Sequence, residues 1–381
     1  MRLLEAGVDD FRNLAATRLV FSPGVNVFLG ANGQGKSNLL EALDYVSLGR
    51  SHRGARDDDL LRFGAAGARI SLALEEDSGT RRVFTCALGR GGERRLQFDG
   101  VAIERRADLV GQVATVLFDP ATVSLATDGP EPRRRFADQA ISSLDRSYLE
   151  HLQAYHRALR QKASLLRDLR RDGARVAAIA REELGAWNRE LARHAAPLCA
   201  TRAIWARRLG PLVATAYAEL DPASAPLVFR YRPRLATCRG DDGEKSDLAR
   251  EILAEIDYIG EDEIRRGRPL AGPHLDDFEL LLGGVSLRGF GSRGEMRSAA
   301  LALKLAHGEL IFQQRHVRPI LFFDDVFSEL DKGRARRLQE RCAADHQLMI
   351  ATARADDVAG WRPGGLRTWE IKSGRVEAGE A

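Results

Sequence analysis

A glycine-rich segment near the N-terminal end combines a lysine and a hydroxyl group in the pattern GxxxxGK[ST], after an apolar run and before a helical one. Its glycines let the backbone curl so that successive N–H groups point inward at phosphate oxygens, and the following helix adds the positive end of its dipole. The lysine is expected to reach the β- and γ-phosphates of a nucleotide, and the serine to ligate Mg²⁺. The residues assigned to nucleotide binding are Gly30, Ala31, Asn32, Gly33, Gln34, Gly35, Lys36, Ser37 and Asn38.

An acidic pair far along the chain supplies the partner that such a loop needs. The apolar run from Ile320 to Phe323 suits a fully buried strand, and it ends in Asp324 and Asp325. We expect Asp324 to hold Mg²⁺ with Ser37, and Asp325 to orient or deprotonate the attacking water. Lys36 and Asp325 are therefore assigned to catalysis, and ATP and Mg²⁺ are the expected cofactors.

Three further segments are typical of ABC-type ATPases. A Ser-x-Gly-Glu run precedes an apolar helix and resembles the signature that contacts a γ-phosphate; taken alone, a serine N-cap is its preferred interpretation. A Ser-Glu-Leu-Asp run just after the acidic pair resembles the D-loop, and a threonine ends another strand-like run where the switch residue is expected. The residues assigned are Ser292, Gly294 and Glu295 of the signature, Ser328 and Asp331 of the D-loop, and Thr352 of the switch.

This set of motifs has a consequence for assembly. In the ABC arrangement the signature acts in trans, on the nucleotide held by a second subunit. We therefore expect a homodimer that ATP favours and that hydrolysis releases, with a slow, switch-like ATPase activity.

The elements that position these residues come from both ends of the chain. Strand-like runs fill the first 120 residues and the last hundred, while helical periodicity dominates between them. The predicted fold is α/β: an ABC-type ATPase head formed by residues 1–120 and 278–381, with an inserted, mainly helical lobe over 121–277. The first long helix of the lobe is expected to bury the seam Leu149, Leu152, His156, Leu159, Ala163 and Leu166, and a second helical run covers 174–209.

Composition limits the function classes less sharply. The formal net charge is +4 and the pI about 9.0, which favours a polyanionic partner. However, only six of the 58 basic residues are lysine and the rest are arginine, a bias that genomic base composition alone can produce.

The four cysteines are far apart, which indicates a reduced protein without a disulfide framework. No signal peptide or membrane-spanning run is evident, so a soluble, cytoplasmic protein without a membrane partner is expected. Arg157, Arg160, Arg167 and Arg171 form one helical stripe that could follow DNA phosphates, although a solvated helix face is the preferred interpretation for any single one of these arginines.

End-to-end similarity makes the assignment more specific. The chain resembles the RecF family of ABC-type, SMC-like ATPases. The runs that carry the resemblance are Phe11-Arg12-Asn13-Leu14, Pro23-Gly24-Val25-Asn26-Val27, Gly49-Arg50-Ser51-His52-Arg53, Phe118-Asp119-Pro120, Gly129-Pro130, Arg133-Arg134-Arg135-Phe136, Gly267-Arg268-Pro269-Leu270-Ala271-Gly272-Pro273-His274-Leu275-Asp276-Asp277, Ala302-Leu303-Lys304-Leu305-Ala306 and Asp324-Asp325-Val326-Phe327-Ser328-Glu329-Leu330-Asp331. Two positions depart from the family pattern: Glu295-Met296 follows the signature glycine, and Leu275 replaces the usual arginine.

The resemblance implies a DNA-repair protein that binds double-stranded or gapped DNA as an ATP-dependent homodimer. With RecR and RecO, such proteins are thought to help RecA displace single-strand-binding protein near gaps. The implied activity is a weak, DNA-stimulated hydrolysis of ATP, and the implied location is the cytoplasm, at the nucleoid.

Other interpretations remain open at this stage. The alternative function is an ATPase subunit of a transporter or of another ABC-type complex that does not act on DNA. The 262 residues between Gly30 and Ser292, and a threonine where transporters have histidine, both disfavour it. A small-molecule kinase would share the phosphate loop but lack the signature and D-loop. His274, Asp276 and Asp277 have the side-chain types of a metal site, although a structural turn is the preferred interpretation.

Overall fold

Strands alternate with helices at both ends of the chain, and helices dominate its middle. The computed structural model describes residues 1–172, 177–239, 247–343, 346–358 and 365–379. The strands described are β1 Arg2–Asp9, β2 Thr17–Val20, β3 Val25–Leu29, β4 Gly67–Glu75, β5 Arg81–Gly89, β6 Arg94–Phe98, β7 Val101–Ala102, β8 Thr115–Phe118, β9 Leu227–Arg232, β10 Asp277–Leu282, β11 Val285–Ser286, β12 Ile320–Asp324, β13 Leu348–Thr352, β14 Leu366–Lys372 and β15 Arg375–Ala378. The α-helices described are α1 Lys36–Leu48, α2 Ser124–Thr127, α3 Pro130–Ser142, α4 Arg146–Asp172, α5 Ala177–Leu220, α6 Leu248–Tyr258, α7 Gly260–Arg266, α8 Leu287–Phe290, α9 Arg293–Arg315 and α10 Lys332–Ala343.

The chain divides into two units. The first contains Met1–Val123, Thr215–Ser224 and Ser292–Ala381, and the second contains Ser124–Ala214 and Ala225–Gly291. The sequence-based boundaries lay at residues 120 and 277. The second boundary differs because β10, which begins at Asp277, pairs with β9 along its whole length and so belongs to the second unit.

A six-stranded sheet in the first unit contains the strands that precede the predicted motifs. Its order is β15-β14-β3-β13-β12-β8, and all neighbouring strands are parallel except β14 and β15. Every residue of β12 and β13 is buried, as expected for parallel strands covered on both faces. The glycine-rich segment and the acidic pair therefore follow strands of one sheet, to which both chain ends contribute.

The second sheet of the first unit is antiparallel, in the order β2-β1-β4-β5-β6-β7. Along β4 the buried residues Ala68, Ile70, Leu72 and Leu74 alternate with more exposed ones, which is the pattern of a sheet with one covered face. The strands predicted in this region are confirmed. The buried side chains pack with α1 in one core, which includes Leu39, Leu40, Leu43, Ile70, Leu72, Phe84, Phe322 and Met349.

The second unit combines long helices with the three-stranded sheet β11-β10-β9. Helix α4 has 27 residues, and α5 has 44 with prolines at 197 and 211. The predicted second helical run began at 174, but 174–176 lie outside the described residues. Among the helices described, none is long and apolar enough to cross a membrane.

The predicted buried seam of α4 is wrong by about one residue. Of the predicted set, Leu166 is fully buried, whereas Leu149, Leu152, His156 and Leu159 are half-buried. The buried positions are Tyr148, Tyr155, Ala158, Lys162, Leu166 and Leu169. The polar ends of Tyr155 and Lys162 are buried because each of them has a polar partner. The Tyr155 hydroxyl lies 2.6 Å from His274 Nδ1, and Lys162 forms an ion pair of 2.6 Å with Glu263.

Candidate nucleotide-binding site

The glycine-rich loop joins β3 to α1, and each of three glycines has its own reason to be glycine. Gly33 and Gly35 have φ values of 81° and 119°, a backbone conformation that other residues adopt only at a cost. Gly30 is required by space, because a Cβ atom there would lie 2.4 Å from the carbonyl oxygen of Ile371 on β14. The glycines are thus required for two reasons: the backbone torsions of the loop itself, and the close approach of β14 to Gly30.

Lys36 places a positive charge inside this loop. The residue is buried, and its Nζ atom donates hydrogen bonds to the carbonyl oxygens of Gly30 at 2.7 Å and Ala31 at 3.1 Å. Ala31, Asn32 and Gly33 are exposed around it. The ammonium group is therefore held at the open side of the loop, where an anionic group could replace the carbonyl oxygens.

The structure brings the loop serine and the first acidic residue together. Ser37 Oγ donates to Asp324 Oδ1 at 2.7 Å, across 287 residues of sequence. Burial raises the pKa of Asp324, while the Ser37 hydrogen bond and the nearby Arg53 guanidinium, at 3.6 Å, oppose that rise. Two hard oxygen donors therefore lie side by side at the edge of the sheet.

Asp325 has a strained backbone and an unpaired carboxylate oxygen. Its φ is 56°, and its N–H donates to the carbonyl of Ala351 at 2.9 Å, which fixes the turn after β12. Its Oδ1 atom is buried without a hydrogen-bond partner among the residues that the structure describes. Ser328 Oγ donates to the Asp325 carbonyl at 2.8 Å, so the predicted D-loop supports the same turn.

Asn13 supports the loop from the first of the sequence runs that suggested the family. Its side-chain amide donates to the Gln34 carbonyl at 3.1 Å and accepts from Asn38 at 2.8 Å. Gln34 is also held from the C-terminal end, since its side chain accepts from the Ser373 N–H at 2.6 Å. The sequence assigned no role to Asn13, because nothing in its local pattern reveals a contact with the loop.

Glu41 anchors α1 from the inside. It is fully buried and accepts from Arg12 Nε at 2.5 Å, Arg12 Nη2 at 2.9 Å and Ser51 Oγ at 2.5 Å. Burial alone would raise the pKa of Glu41, but the Arg12 and Ser51 hydrogen bonds and the charges of Arg12 and Arg53 outweigh it and hold that pKa below its usual value. Arg53 also donates to Asn38 Oδ1 at 3.1 Å. The structure thus places Arg53 beside the glycine-rich loop.

Thr352 ends β13 with its side chain buried. Its hydroxyl donates to Asp357 Oδ2 at 2.6 Å and accepts from the N–H of Arg354 at 3.2 Å. The register aligns Thr352 with Leu29, the last residue before the loop. The predicted switch residue thus stands beside the loop, in an orientation that a neighbouring carboxylate sets.

The predicted signature begins α9 through a capping box. Ser292 Oγ accepts from the Glu295 N–H at 3.3 Å, and the Glu295 side chain accepts from the Ser292 N–H at 2.7 Å. Ser292 is exposed. The N-cap interpretation is therefore correct as a description of this chain, and the exposed hydroxyl is compatible with a second contact from outside.

An open pocket lies beside the two aspartates. The segment just after β8, the first half of α9, the last residue of β12 and the segment after it line this pocket. Arg297 contributes a positive charge and is oriented by Glu329, whose carbonyl accepts from Arg297 Nη1 at 2.7 Å. The remaining polar lining residues are Asp119, Thr122, Asp324 and Asp325.

Two buried arginines of the second unit have structural partners. Arg133 is buried and makes two hydrogen bonds to Asp277, at 2.9 and 3.1 Å. Asp276 accepts from Arg202 at 2.8 Å and from Tyr231 at 2.5 Å, so this acidic pair belongs to a structural turn. Leu275, which departs from the family pattern, is partly exposed in that turn.

The arginine stripe of α4 differs from these. Arg157, Arg160, Arg167 and Arg171 are all exposed. Arg171 also lies 3.6 Å from Asp168, one turn earlier on the same helix. Their spacing places them on one face of α4, as predicted, and their exposure agrees equally with a DNA-binding stripe and with a solvated face.

Comparison with known proteins gives consistent matches over the whole chain. The family model described as the RecF/RecN/SMC N-terminal domain matches residues 3–361. The DNA replication and repair protein RecF of Streptomyces avermitilis is 35% identical over 380 residues, covering 99% of this chain and 100% of the relative. The protein of the same name from Acidothermus cellulolyticus is 36% identical over 353 residues, covering 93% and 94%.

A solved structure agrees in fold. The recombination mediator protein RecF in its RecF-ATPrS structure, from the RecFOR pathway, superimposes with a TM-score of 0.88 at 27% identity and covers 99% of this chain and 98% of the other. The likeness includes the α/β head with its inserted helical region, so the predicted fold class is confirmed. The chain belongs to the RecF family, within the group that shares the RecF/RecN/SMC N-terminal domain.

Proposed function

We propose that this chain is an ATP-dependent DNA-binding ATPase of recombinational repair, which dimerises on ATP and binds double-stranded or gapped DNA. The observation that carries the proposal is the hydrogen bond between Ser37 and Asp324, which joins the phosphate loop to the acidic strand. The full-length relatives named DNA replication and repair protein RecF support DNA as the partner.

ATP is the proposed ligand of the glycine-rich loop. Lys36 and the N–H groups at the start of α1 would hold the β- and γ-phosphates, and the exposure of Ala31 to Gly33 supports this by leaving that side of the loop open. The RecF-ATPrS and RecF-ATP structures of related proteins support this choice of nucleotide.

The residues present also fit Mg²⁺. Hard oxygen ligands are what this ion prefers, and Ser37 Oγ and Asp324 Oδ1 lie 2.7 Å apart in the same cradle. When bound, the ion would supply charge neutralisation between the β- and γ-phosphates. The protein's own contribution is to hold both oxygens in place, through β12 on one side and α1 on the other.

Hydrolysis is assigned to Asp325. Its buried Oδ1 atom has no hydrogen-bond partner in the described part of the chain, so it can accept a hydrogen bond from the attacking water and orient it. The backbone turn that presents the carboxylate is fixed by the hydrogen bond from Asp325 to Ala351. We propose that the hydrolysis is weak and stimulated by DNA.

Assembly and DNA binding complete the proposal. The exposed Ser292, with Gly294 and Glu295, would contact the nucleotide of a second copy, so that ATP favours the homodimer. The exposed arginine stripe of α4 would bind phosphates without reading sequence, which makes binding sensitive to salt. The proposed protein partner at single-strand gaps is RecR, with RecO and RecA acting downstream. The proposed location is the cytoplasm, at the nucleoid.

The test is the binding of a gapped duplex by Asp325→Asn protein with ATP, with ADP and without nucleotide. Tight, salt-sensitive binding with ATP alone is expected, since the variant should bind ATP but not hydrolyse it. Absence of DNA binding in all three states would overturn the DNA part of the proposal.

Two further variants separate the steps. Lys36→Ala should abolish ATP binding, whereas Ser292→Arg should leave the ATP affinity of the single chain nearly unchanged and prevent closure of the dimer. Equal loss of ATP binding in both variants would contradict the role of Ser292 in trans.

A further inference from the structure

Arg334 lies at a junction of three elements that are far apart in sequence. It is in the first turn of α10, three residues after the D-loop residue Asp331. Its N–H donates to Asp331 Oδ1 at 3.0 Å, and its guanidinium lies 3.2 Å from Asp331 Oδ2. The other guanidinium nitrogen binds Asp221, just beyond the end of α5. The Arg334 side chain is only 22% exposed and Asp221 only 14%, so this pair is largely shielded from water.

The third element is the signature. A Cβ atom at Gly294 would lie 2.4 Å from Arg334 Nη1, which means that the guanidinium packs directly against the signature glycine. Gly294 lies inside α9 and has no positive φ, so its backbone conformation does not demand a glycine. An arginine tip could usually move away from an added methyl group, but this one is held by two carboxylates. The space that Arg334 occupies is therefore a reason in itself for a glycine at 294.

Arg334 is one of three arginines on the same face of α10 that hold the end of α5. Arg337 Nε donates to the carbonyl of Leu220 at 2.9 Å, where it satisfies a terminal helix carbonyl. Arg341 forms an ion pair of 2.8 Å with Glu219. Of the three, Arg334 is the one whose described contacts also include the D-loop and the signature.

We propose that Arg334 is a positioning residue, which fixes Gly294 of the signature and Asp331 of the D-loop relative to each other by anchoring both to Asp221. This inference rests on the proposed function, in which both segments meet the nucleotide of a second copy. The residues of a functional site must be held to within about 0.5 Å of the productive geometry. In catalysis, a misplacement of 1 Å can lower the rate on the order of 100-fold. A flexible junction would present the two segments independently, and the dimer would then have to order them at the moment of closure.

The first experiment measures ATP-dependent dimerisation by sedimentation, with every variant made in the Asp325→Asn background. Arg334→Ala should bind ATP as a single chain with unchanged affinity but dimerise at least about tenfold more weakly. Arg334→Lys should recover only part of the loss, because an ammonium group lacks the planar fork that reaches both carboxylates. Asp221→Asn should weaken dimerisation in the same direction without altering the signature or the D-loop.

Arg341→Ala is the matched control. It removes an arginine from the same face of α10 and the same end of α5, without touching Gly294 or Asp331, and should dimerise like the parent. If Arg334→Ala dimerises as well as the parent, the proposal is overturned while the proposed function stands. An equal loss in Arg341→Ala would also overturn it, since general packing of α10 would then explain the effect. If the parent itself fails to dimerise with ATP, the proposed function fails and this inference with it.

A second measurement tests the geometry through stability alone. Gly294→Ala should lower the melting temperature of the parent clearly, but should have little further effect once Arg334→Ala has removed the side chain that occupies the space. Independent, additive effects of the two substitutions would show that Arg334 is not what requires the glycine, and would refute the proposed junction.

Discussion

Arg12 is expected to contribute much of the stability of helix α1, because it donates two hydrogen bonds to the fully buried Glu41 carboxylate at 2.5 and 2.9 Å. The substitution Arg12→Ala removes both donors and leaves the carboxylate with Ser51, and with Arg53 at 3.6 Å. Removing one partner of a buried ion pair costs about 3–5 kcal/mol. Since two partners of Glu41 remain, we expect a loss near the lower end, about 3 kcal/mol.

Thermal unfolding measures this loss. A change of about 3 kcal/mol corresponds to a fall in melting temperature of roughly 6–12 °C for a domain of this size. The matched control is Arg18→Ala, which breaks an ion pair with Asp9 in which the arginine side chain is 67% exposed. A surface pair of this kind contributes less than about 1 kcal/mol, so the control should melt close to the wild type.

The pH dependence gives a second, independent check on the same pair. The native pKa of Glu41 is lowered, so its contribution to stability is present above the ordinary pKa of a glutamate and is lost as the pH falls through the native value. The difference between wild type and Arg12→Ala should therefore be constant near neutral pH and shrink in acid. The reasoning is refuted if Arg12→Ala lowers the melting temperature no more than Arg18→Ala does. It is also refuted if the difference in stability between wild type and Arg12→Ala is unchanged in acid.

Three further predictions test other contacts. Gly30→Ala should lower both ATP affinity and melting temperature more than Gly33→Ala, whose Cβ would enter open space and cost only the strain of a left-handed backbone, about 1–2 kcal/mol. Asp357→Ala removes the hydrogen-bond acceptor of Thr352, the predicted switch residue, at a cost of about 1 kcal/mol; kcat should fall while ATP affinity is retained, as steady-state kinetics and ATP titration can show. Lys162→Met leaves a carboxylate unpaired in the core and should cost about 3–5 kcal/mol in chemical denaturation, whereas adding Glu263→Met should recover most of that loss.

The sequence predicts structure best where the local backbone conformation or burial restricts which residue types can occur. The glycine-rich loop needs positive φ at Gly33 and Gly35, and the buried strand before Asp324 needs an unbroken apolar run; both are visible locally. The fold class followed from where such runs occur along the chain. The contact of Ser37 with Asp324 could also be predicted, because the carboxyl ends of all parallel strands of one sheet lie at the same edge.

Contacts made by long polar side chains could not be predicted from the sequence in this way. The seam of α4 was misplaced because periodicity weighs apolarity, whereas Tyr155 and Lys162 are buried by virtue of distant partners. Arg334 has no local pattern that separates it from the other arginines of an arginine-rich chain. The role proposed for it follows from its contacts with Asp221, Gly294 and Asp331, which the structure alone reveals.

The order of strands in the parallel sheet also has a consequence for synthesis of the protein. The strand β3, which leads into the glycine-rich loop, pairs with β13 and β14, more than 300 residues later in the chain. At about 5–20 residues per second, a ribosome needs on the order of 15–65 s to produce those strands after it has made the loop. During that interval the backbone N–H and C=O groups on both edges of β3 lack their partner strands, and its apolar side chains are not yet covered, so the nascent chain should be a substrate for chaperones. A polypeptide that stops before β13 should be unable to bind ATP, however intact its loop sequence is.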